Sequence, residues 1–78
     1  MPKYFFHVRR HGAFEEDLEG TDLASPEHAL KEAIAAAREI VSERIRMGQP
    51  ADGDTFEIMT EDGTLVATVS FRTAVGLD

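Results

Sequence analysis

Two histidines and the acidic residues that follow them are the first group whose types and spacing could do chemistry. His7 and His11 precede Glu15, Glu16 and Asp17. Imidazole and carboxylate groups together can bind a divalent metal ion, and a histidine can also act as a general base. The spacing of the two histidines brings them together on a helix, but not on a strand that enters a turn. We therefore favour a solvated hairpin with cross-strand His–Glu or Arg–Glu pairs, and keep a metal or catalytic site as the alternative.

Other acidic groups could in principle collect a cation. The acidic segment of residues 15–22 lacks the ligand spacing of an EF-hand loop, so a solvated loop explains it better. Turn chemistry likewise explains Asp52-Gly53-Asp54 and the nearby Glu61-Asp62. The chain has no cysteine, and a helix cap, a helix position and a strand position account for its serines. No catalytic, metal-binding or cofactor-binding residue is therefore assigned.

An aromatic and basic cluster raises the question of nucleic-acid binding. Phe5 lies close in sequence to Arg9, Arg10 and His11, and small sheets with such residues can stack bases. The formal net charge of −7 opposes unspecific contact with a phosphate backbone. We expect no nucleic-acid partner, and keep a nucleic-acid binder acting through Arg9, Arg10 and His11 as an alternative.

Length and composition limit the kind of protein this can be. The 78 residues suffice for one small domain over residues 1–78, with one core and no deep enclosed pocket. The lack of cysteine excludes a disulfide framework, so packing must hold the core. The short apolar run at the N-terminus is not typical of a signal peptide, and no later run is long enough to span a membrane. We expect a cytoplasmic protein with no membrane contact.

The elements that must position these residues follow from the hydrophobic periodicity. Residues 3–9 and 55–71 alternate with period two, while residues 26–47 follow a period of 3.6. A short second strand is expected over residues 14–17. The pattern predicts an α+β domain of order ββαββ, with a single long helix packed on one face of a four-stranded, mainly antiparallel sheet. The first strand is expected to be central; the orders 2-1-3-4 and 2-1-4-3 both remain open.

The helix has clear start and stop signals. Ser25 is a good N-cap, Pro26 suits the first helical position, and Gly48 suits the left-handed position after the last turn. Apolar residues at three- and four-residue steps form one apolar stripe along the helix: Leu30, Ala33, Ile34, Ala37, Ile40, Val41 and Ile45. Ile34 from this stripe and Phe56 from the third strand are the expected anchors of the core.

The C-terminal strands form a predicted hairpin. Asp62-Gly63 is a favoured central pair of a two-residue type I′ turn. This turn implies two cross-strand pairs, Ile58 with Ala67 and Phe56 with Val69. The predicted core face then consists of Phe56, Ile58, Leu65, Ala67, Val69 and Phe71. Met59 and Val66 remain on the outer face, where Phe5 should join them.

Three segments carry a resemblance to a known family. They are Met1-Pro2-Lys3-Tyr4-Phe5-Phe6-His7-Val8, Glu19-Gly20-Thr21-Asp22-Leu23 and Thr60-Glu61-Asp62-Gly63-Thr64-Leu65. In their order and spacing they resemble a family of short alphaproteobacterial proteins of unknown function. The resemblance covers almost the whole chain. It implies a stand-alone ββαββ domain, and no activity, cofactor or catalytic residue follows from it.

Apolar residues that one helix cannot cover favour an interaction function. The helix covers one face of the sheet and is longer than the strands, so its end should project beyond them. The expected interface residues are Phe5, Met59, Val66, Ile45 and Met47. We predict a non-enzymatic protein-interaction or regulatory module that forms a homodimer through the outer sheet face or a strand edge. A small metal- or ligand-dependent enzyme with its site at the subunit interface is the alternative.

Overall fold

The computed structural model describes residues 1–51 and 53–77 and has the predicted α+β architecture, with one long helix on one face of an antiparallel sheet. In chain order its elements are β1 (Lys3–Arg10), β2 (Ala13–Glu15), β3 (Thr21–Asp22), α1 (Pro26–Arg46), β4 (Thr55–Thr60), β5 (Leu65–Ser70) and α2 (Phe71–Ala74). Two of these elements, β3 and α2, were not predicted. No helix in the described part of the chain is long and apolar enough to cross a membrane.

The sheet has the order β2-β1-β4-β5, which is the first of the two predicted orders. β1 is central, as predicted, and pairs with β4 from Tyr4 opposite Thr60 to Arg9 opposite Thr55. The other edge of β1 pairs with β2 near its end and with β3 near its start. A gap without strand pairing therefore remains in the middle of that edge.

The ends of α1 are set by the residues that the sequence indicated. The Ser25 hydroxyl accepts a hydrogen bond from the backbone N–H of His28 at 3.1 Å, and Pro26 is the first helical residue. Gly48 has φ +72°, and the N–H of Gln49 donates to the carbonyl of Arg44 at 2.9 Å. This is the bond of a Schellman cap, which ends the helix at Arg46, one residue earlier than predicted.

The buried face of α1 has fewer residues than the predicted apolar stripe, and most of them are alanines. Its buried residues are Ala29, Ala33, Ala37 and Val41, a row at four-residue steps. Leu30 and Ile45 of the predicted apolar stripe are exposed, and Ile34 and Ile40 are half-buried on the flanks. Alanines let the helix backbone lie close to the sheet, so the larger residues fit only beside the contact line. Phe56 is a core residue as predicted, whereas Ile34 lies at the edge of the core.

The C-terminal hairpin has the predicted register but a different loop. Ile58 pairs with Ala67 and Phe56 with Val69, as predicted. The N–H of Thr60 donates to the carbonyl of Thr64 at 3.0 Å, which leaves three residues in the loop. Among these three only Gly63, with φ +85°, has a positive φ, whereas a type I′ turn needs two such residues in succession. The predicted two-residue turn is therefore wrong.

This longer loop changes the faces of two predicted residues. The register shifts between Ile58 and Met59, so that Met59 lies opposite Leu65 and Val66 becomes the extra residue of a bulge. Leu65, predicted for the core, is 52% exposed on the outer side. Val66, predicted for the outer face, packs against the core instead.

The chain turns into a short helix where the fourth strand was predicted to continue. The Ser70 hydroxyl accepts a hydrogen bond from the N–H of Thr73 at 3.5 Å and caps α2. Phe71 is the first residue of α2 and is fully buried, with its ring centroid 5.0 Å from that of Phe56. The core consists of Tyr4, Val8, Leu23, Ala29, Ala33, Ala37, Val41, Phe56, Ile58, Val69, Phe71 and Ala74.

Candidate functional site

The two histidines that opened the possibility of a metal site lie apart. His7 is buried on the outer sheet face between Phe5 and Phe14, with ring-centroid distances of 6.2 and 5.3 Å. His11 lies in the β1–β2 turn with φ +36°, and its ring lies beside Gly53. Within residues 1–51 and 53–77, no group of three or more His, Cys, Asp or Glu residues could hold a metal ion. The metal alternative therefore has no ligand set in the described residues.

Asp17 organises the loop between β2 and β3. Its carboxylate accepts hydrogen bonds from the backbone N–H of Phe6 at 3.0 Å and from those of Glu19 and Gly20, both at 3.2 Å. Its own backbone N–H donates to Nδ1 of His7 at 3.0 Å. The Asp17 side chain thus occupies the gap in the edge of β1 and supplies the acceptor that a strand would otherwise give. The sequence predicted a solvated acidic loop here, but this carboxylate is half-buried and both of its oxygens accept backbone hydrogen bonds.

The protonation of Asp17 follows from these bonds. Partial burial by itself would raise the pKa of the Asp17 carboxyl, but the amides of Phe6, Gly20 and Glu19 stabilise the ionised form. The net effect is a pKa below the ordinary value for aspartate. The loop is therefore held by a carboxylate that stays ionised under neutral and mildly acidic conditions.

The arginines considered for nucleic-acid binding are paired with carboxylates. Arg9 donates to both carboxylate oxygens of Glu57, at 3.0 and 3.4 Å, and stacks its guanidinium on the Phe14 ring. Arg10 pairs with Glu15 at 3.3 Å, which confirms the predicted Arg–Glu pair across the first hairpin. These pairs place acidic groups among the basic ones instead of leaving a contiguous basic face.

A buried ion pair holds the end of β1 to the end of α1. Asp54 is buried, with Oδ2 at 3.2 Å from Arg10 Nε and 2.9 Å from an Arg44 guanidinium nitrogen. Neither contact has hydrogen-bond alignment, so charge attraction holds the group together. The sequence indicated only turn chemistry for Asp54 and did not predict its burial or its ion pairs. Asp52 of the same acidic group lies outside the described residues.

The expected interface residues are divided between two surfaces and the core. Phe5 and Met59 are half-buried neighbours on the outer sheet face, with Leu65 on the far side of Met59. Ile45 and Met47 are 66% and 61% exposed at the far end of α1. Val66 packs against the core and is therefore not one of the surface residues that were expected at the interface.

The outer sheet face carries a groove with an apolar floor. It has a volume of about 330 Å³ and is lined by Phe5, His7, Glu16, Asp17, Leu18, Met59, Thr60, Glu61 and Gly63. Leu18 is 80% exposed at the rim, on the loop that Asp17 holds. Leu18 could not be predicted as a site residue, because an isolated leucine in an acidic segment has no periodic partner.

The edge of β5 is a second open surface. This strand is the last in the sheet order, so its outer edge has no neighbouring strand in the described residues. A groove of about 400 Å³ runs between this edge and α1 and includes Leu30, Ile34 and Thr68 among its lining residues. Apolar side chains of the helix therefore flank the unpaired backbone of β5.

Comparison with known proteins places most of the chain in a described family. A family model described as a domain of unknown function, DUF6894, matches residues 3–72. No curated protein and no solved structure matches the chain significantly. The match agrees with the resemblance carried by the N-terminal and hairpin motifs, and it assigns no activity to any residue.

Proposed function

This chain belongs to the DUF6894 family, whose description assigns no activity, and we propose from its structure that it is a non-enzymatic protein-interaction module that acts as a homodimer. The observation that carries the proposal is the open edge of β5. An alphaproteobacterial origin and a cytoplasmic location, which the sequence motifs and composition suggest, are parts of the same proposal.

The β5 edge has only one of the features that keep strand edges from pairing, the bulge at Val66 near its start. Natural proteins protect such edges with charged residues, proline or very short strands. β5 has six residues, Leu-Val-Ala-Thr-Val-Ser, with no charge and no proline. The rest of the chain has a net charge of −7, so this neutral strand is where two copies can approach with the least repulsion.

The hydrogen-bond pattern identifies the groups that face outward. In an antiparallel pair, bonded and non-bonded residue pairs alternate. The N–H of Phe71 donates to the carbonyl of Asp54 at 3.0 Å, so Phe56–Val69 and Ile58–Ala67 are also bonded pairs. Thr68 lies between them, and its N–H and C=O therefore point to the free edge.

An independent contact on β1 leads to the same assignment. The N–H of Phe6 donates to Asp17, on the side of β1 away from β4. Phe6 lies opposite Ile58, so the Ile58 backbone groups must face β5. This again makes Ile58 and Ala67 a bonded pair and turns the polar groups of Thr68 outward.

A second copy of this chain fits that edge. Two β5 strands related by a twofold axis can pair antiparallel with Thr68 opposite Thr68 of the other copy. The outward N–H and C=O groups of the two threonines then satisfy each other, and their side chains form a cross-strand Thr–Thr pair. Leu30 and Ile34 of both helices flank the same edge and add apolar contacts.

Sedimentation equilibrium at micromolar concentration tests the proposal. We expect wild type to be a dimer and Thr68→Lys to be a monomer, because a charge at the centre of the paired edges opposes association. Ala35→Lys is the matched control, since Ala35 is an exposed helix residue and the charge change is the same.

Two results would overturn the proposal. A wild-type monomer would exclude the homodimer. A dimer that persists in Thr68→Lys but dissociates in Ile45→Lys would place the interface at the helix end instead of at β5.

A further inference from the structure

We infer that the outer-face groove binds a basic peptide segment, in which an apolar side chain is flanked by lysine or arginine. This deepens the proposed function by naming a partner class, but it uses a surface separate from β5. The groove is defined by Phe5, Met59 and Leu18, with Glu16 and Glu61 at its rim.

The floor of the groove has the shape and chemistry for an apolar side chain. Phe5 and Met59 lie directly opposite each other on β1 and β4, so their side chains are neighbours on one face. Leu18 rises beside them and is largely exposed. The volume of about 330 Å³ suits a short segment with one or two large apolar side chains rather than a folded domain surface.

The loop that carries Leu18 forms one wall of the groove, and its own hydrogen bonds hold it in place before any partner binds. The Asp17 carboxylate is bonded to the N–H groups of Phe6, Glu19 and Gly20, which fixes the loop on both sides of its tip. Gly20 lies so close to β1 that a Cβ there would be 2.9 Å from an atom of the Phe5 ring. A preorganised wall does not lose loop entropy on binding, which favours recognition of a peptide.

The charge at the rim selects the partner. The lining contains the carboxylates of Glu16, Asp17 and Glu61 but no lysine or arginine. The nearest basic residues on the same face are engaged, since Arg9 is bonded to Glu57 and Lys3 is 3.9 Å from Asp22. An apolar floor with an acidic rim complements an apolar residue between cations, and it opposes acidic peptides and nucleic acid.

Selection from a random-peptide display library on the immobilised full chain tests the inference. We expect enrichment of sequences with an apolar residue between lysines or arginines. The affinity of a selected peptide, measured by fluorescence anisotropy, should fall at least about tenfold in Leu18→Ser. The Glu16→Gln/Glu61→Gln variant should bind more weakly and lose most of the salt dependence. Ile45→Ser, which truncates another exposed apolar residue at the helix end, should bind as wild type does.

Three outcomes would overturn the inference: no enrichment, an acidic or uncharged consensus, or binding that survives Leu18→Ser. The experiment also separates this inference from the homodimer. The groove lies within one chain, so Thr68→Lys should retain peptide binding as a monomer. A monomer that still binds the peptide would refute only the homodimer proposal. A dimer that binds no peptide would refute only the peptide inference.

Discussion

Asp17 is joined to His7 through its backbone and not through its carboxylate: the Asp17 N–H donates to His7 Nδ1 at 3.0 Å. Because Nδ1 is the acceptor, the neutral ring carries its proton on Nε2. The carboxylate stays available for the amides of Phe6, Glu19 and Gly20. His7 and Asp17, whose residue types are typical of catalytic sites, thus hold the loop between β2 and β3 in place.

Asp17→Asn should weaken the fold at neutral pH and make it less sensitive to acid. The amide group of asparagine cannot accept all the bonds of the carboxylate, so we expect a loss of about 1–2 kcal/mol at pH 7. The folded pKa of Asp17 lies below its unfolded value of about 3.9. Its contribution is therefore complete above that value and lost as the pH falls through the folded pKa. Urea unfolding should therefore show a smaller difference in unfolding free energy between wild type and Asp17→Asn at pH 3 than at pH 7. Glu19→Gln, a substitution at an exposed residue, is the control and should unfold as wild type does at both pH values.

Asp54→Ala should be much more damaging than its surface counterpart. The substitution leaves the Arg10 Nε atom buried without a carboxylate and removes the partner of Arg44. Because the side chains of Arg10 and Arg44 are 42% and 20% exposed, we expect a loss of about 1–3 kcal/mol, the cost of a buried polar atom left without its partner. Glu57→Gln, which weakens the more exposed pair with Arg9, should cost less than about 1 kcal/mol. Thermal and urea unfolding measure both losses of unfolding free energy. If Asp54→Ala and Glu57→Gln lost the same amount, Asp54 would contribute no more to stability than a surface carboxylate does.

Two alanines in the same helix should differ in how much stability is lost when each is enlarged. Ala33 is fully buried against the sheet, whereas Ala35 is exposed. Ala33→Leu should destabilise the domain by about 1–3 kcal/mol, because the close contact leaves no room for three more carbons. Ala35→Leu should leave the unfolding free energy within about 0.5 kcal/mol of wild type. A tolerated Ala33→Leu would mean that the helix can move away from the sheet.

Local signals explain why much of the fold could be predicted. Ser25 and Gly48 act within one helical turn, and their effects do not depend on the rest of the chain. The pairing of Phe56 with Val69 followed from alternation, because a slipped register would expose the aromatic face. The two-residue loop failed because Asp62-Gly63 also suits a longer loop with one left-handed residue, and composition does not separate the two.

The features missed by the sequence analysis depend on residues that are distant in the chain. The burial of Asp54 requires Arg10 and Arg44 to converge on it from two other elements. The role of Asp17 required a gap in the edge of β1, which only the tertiary arrangement creates. A serine cap at Ser70 was the one local signal for α2, and the apolar alternation that includes Phe71 obscured it. Candidate sites were therefore harder to predict than elements.

The side chain that fills the gap in β1 also bears on how many copies can assemble. Asp17 occupies the middle of that edge, and the flanking strands β2 and β3 have only three and two residues. In the described residues, β5 is thus the one long edge that another strand can extend. Once two chains have joined there, a third finds no template. Assembly by strand pairing would therefore stop at two chains. Removing the Asp17 side chain would free the backbone groups in the middle of the β1 edge, where further chains could add and form a polymer.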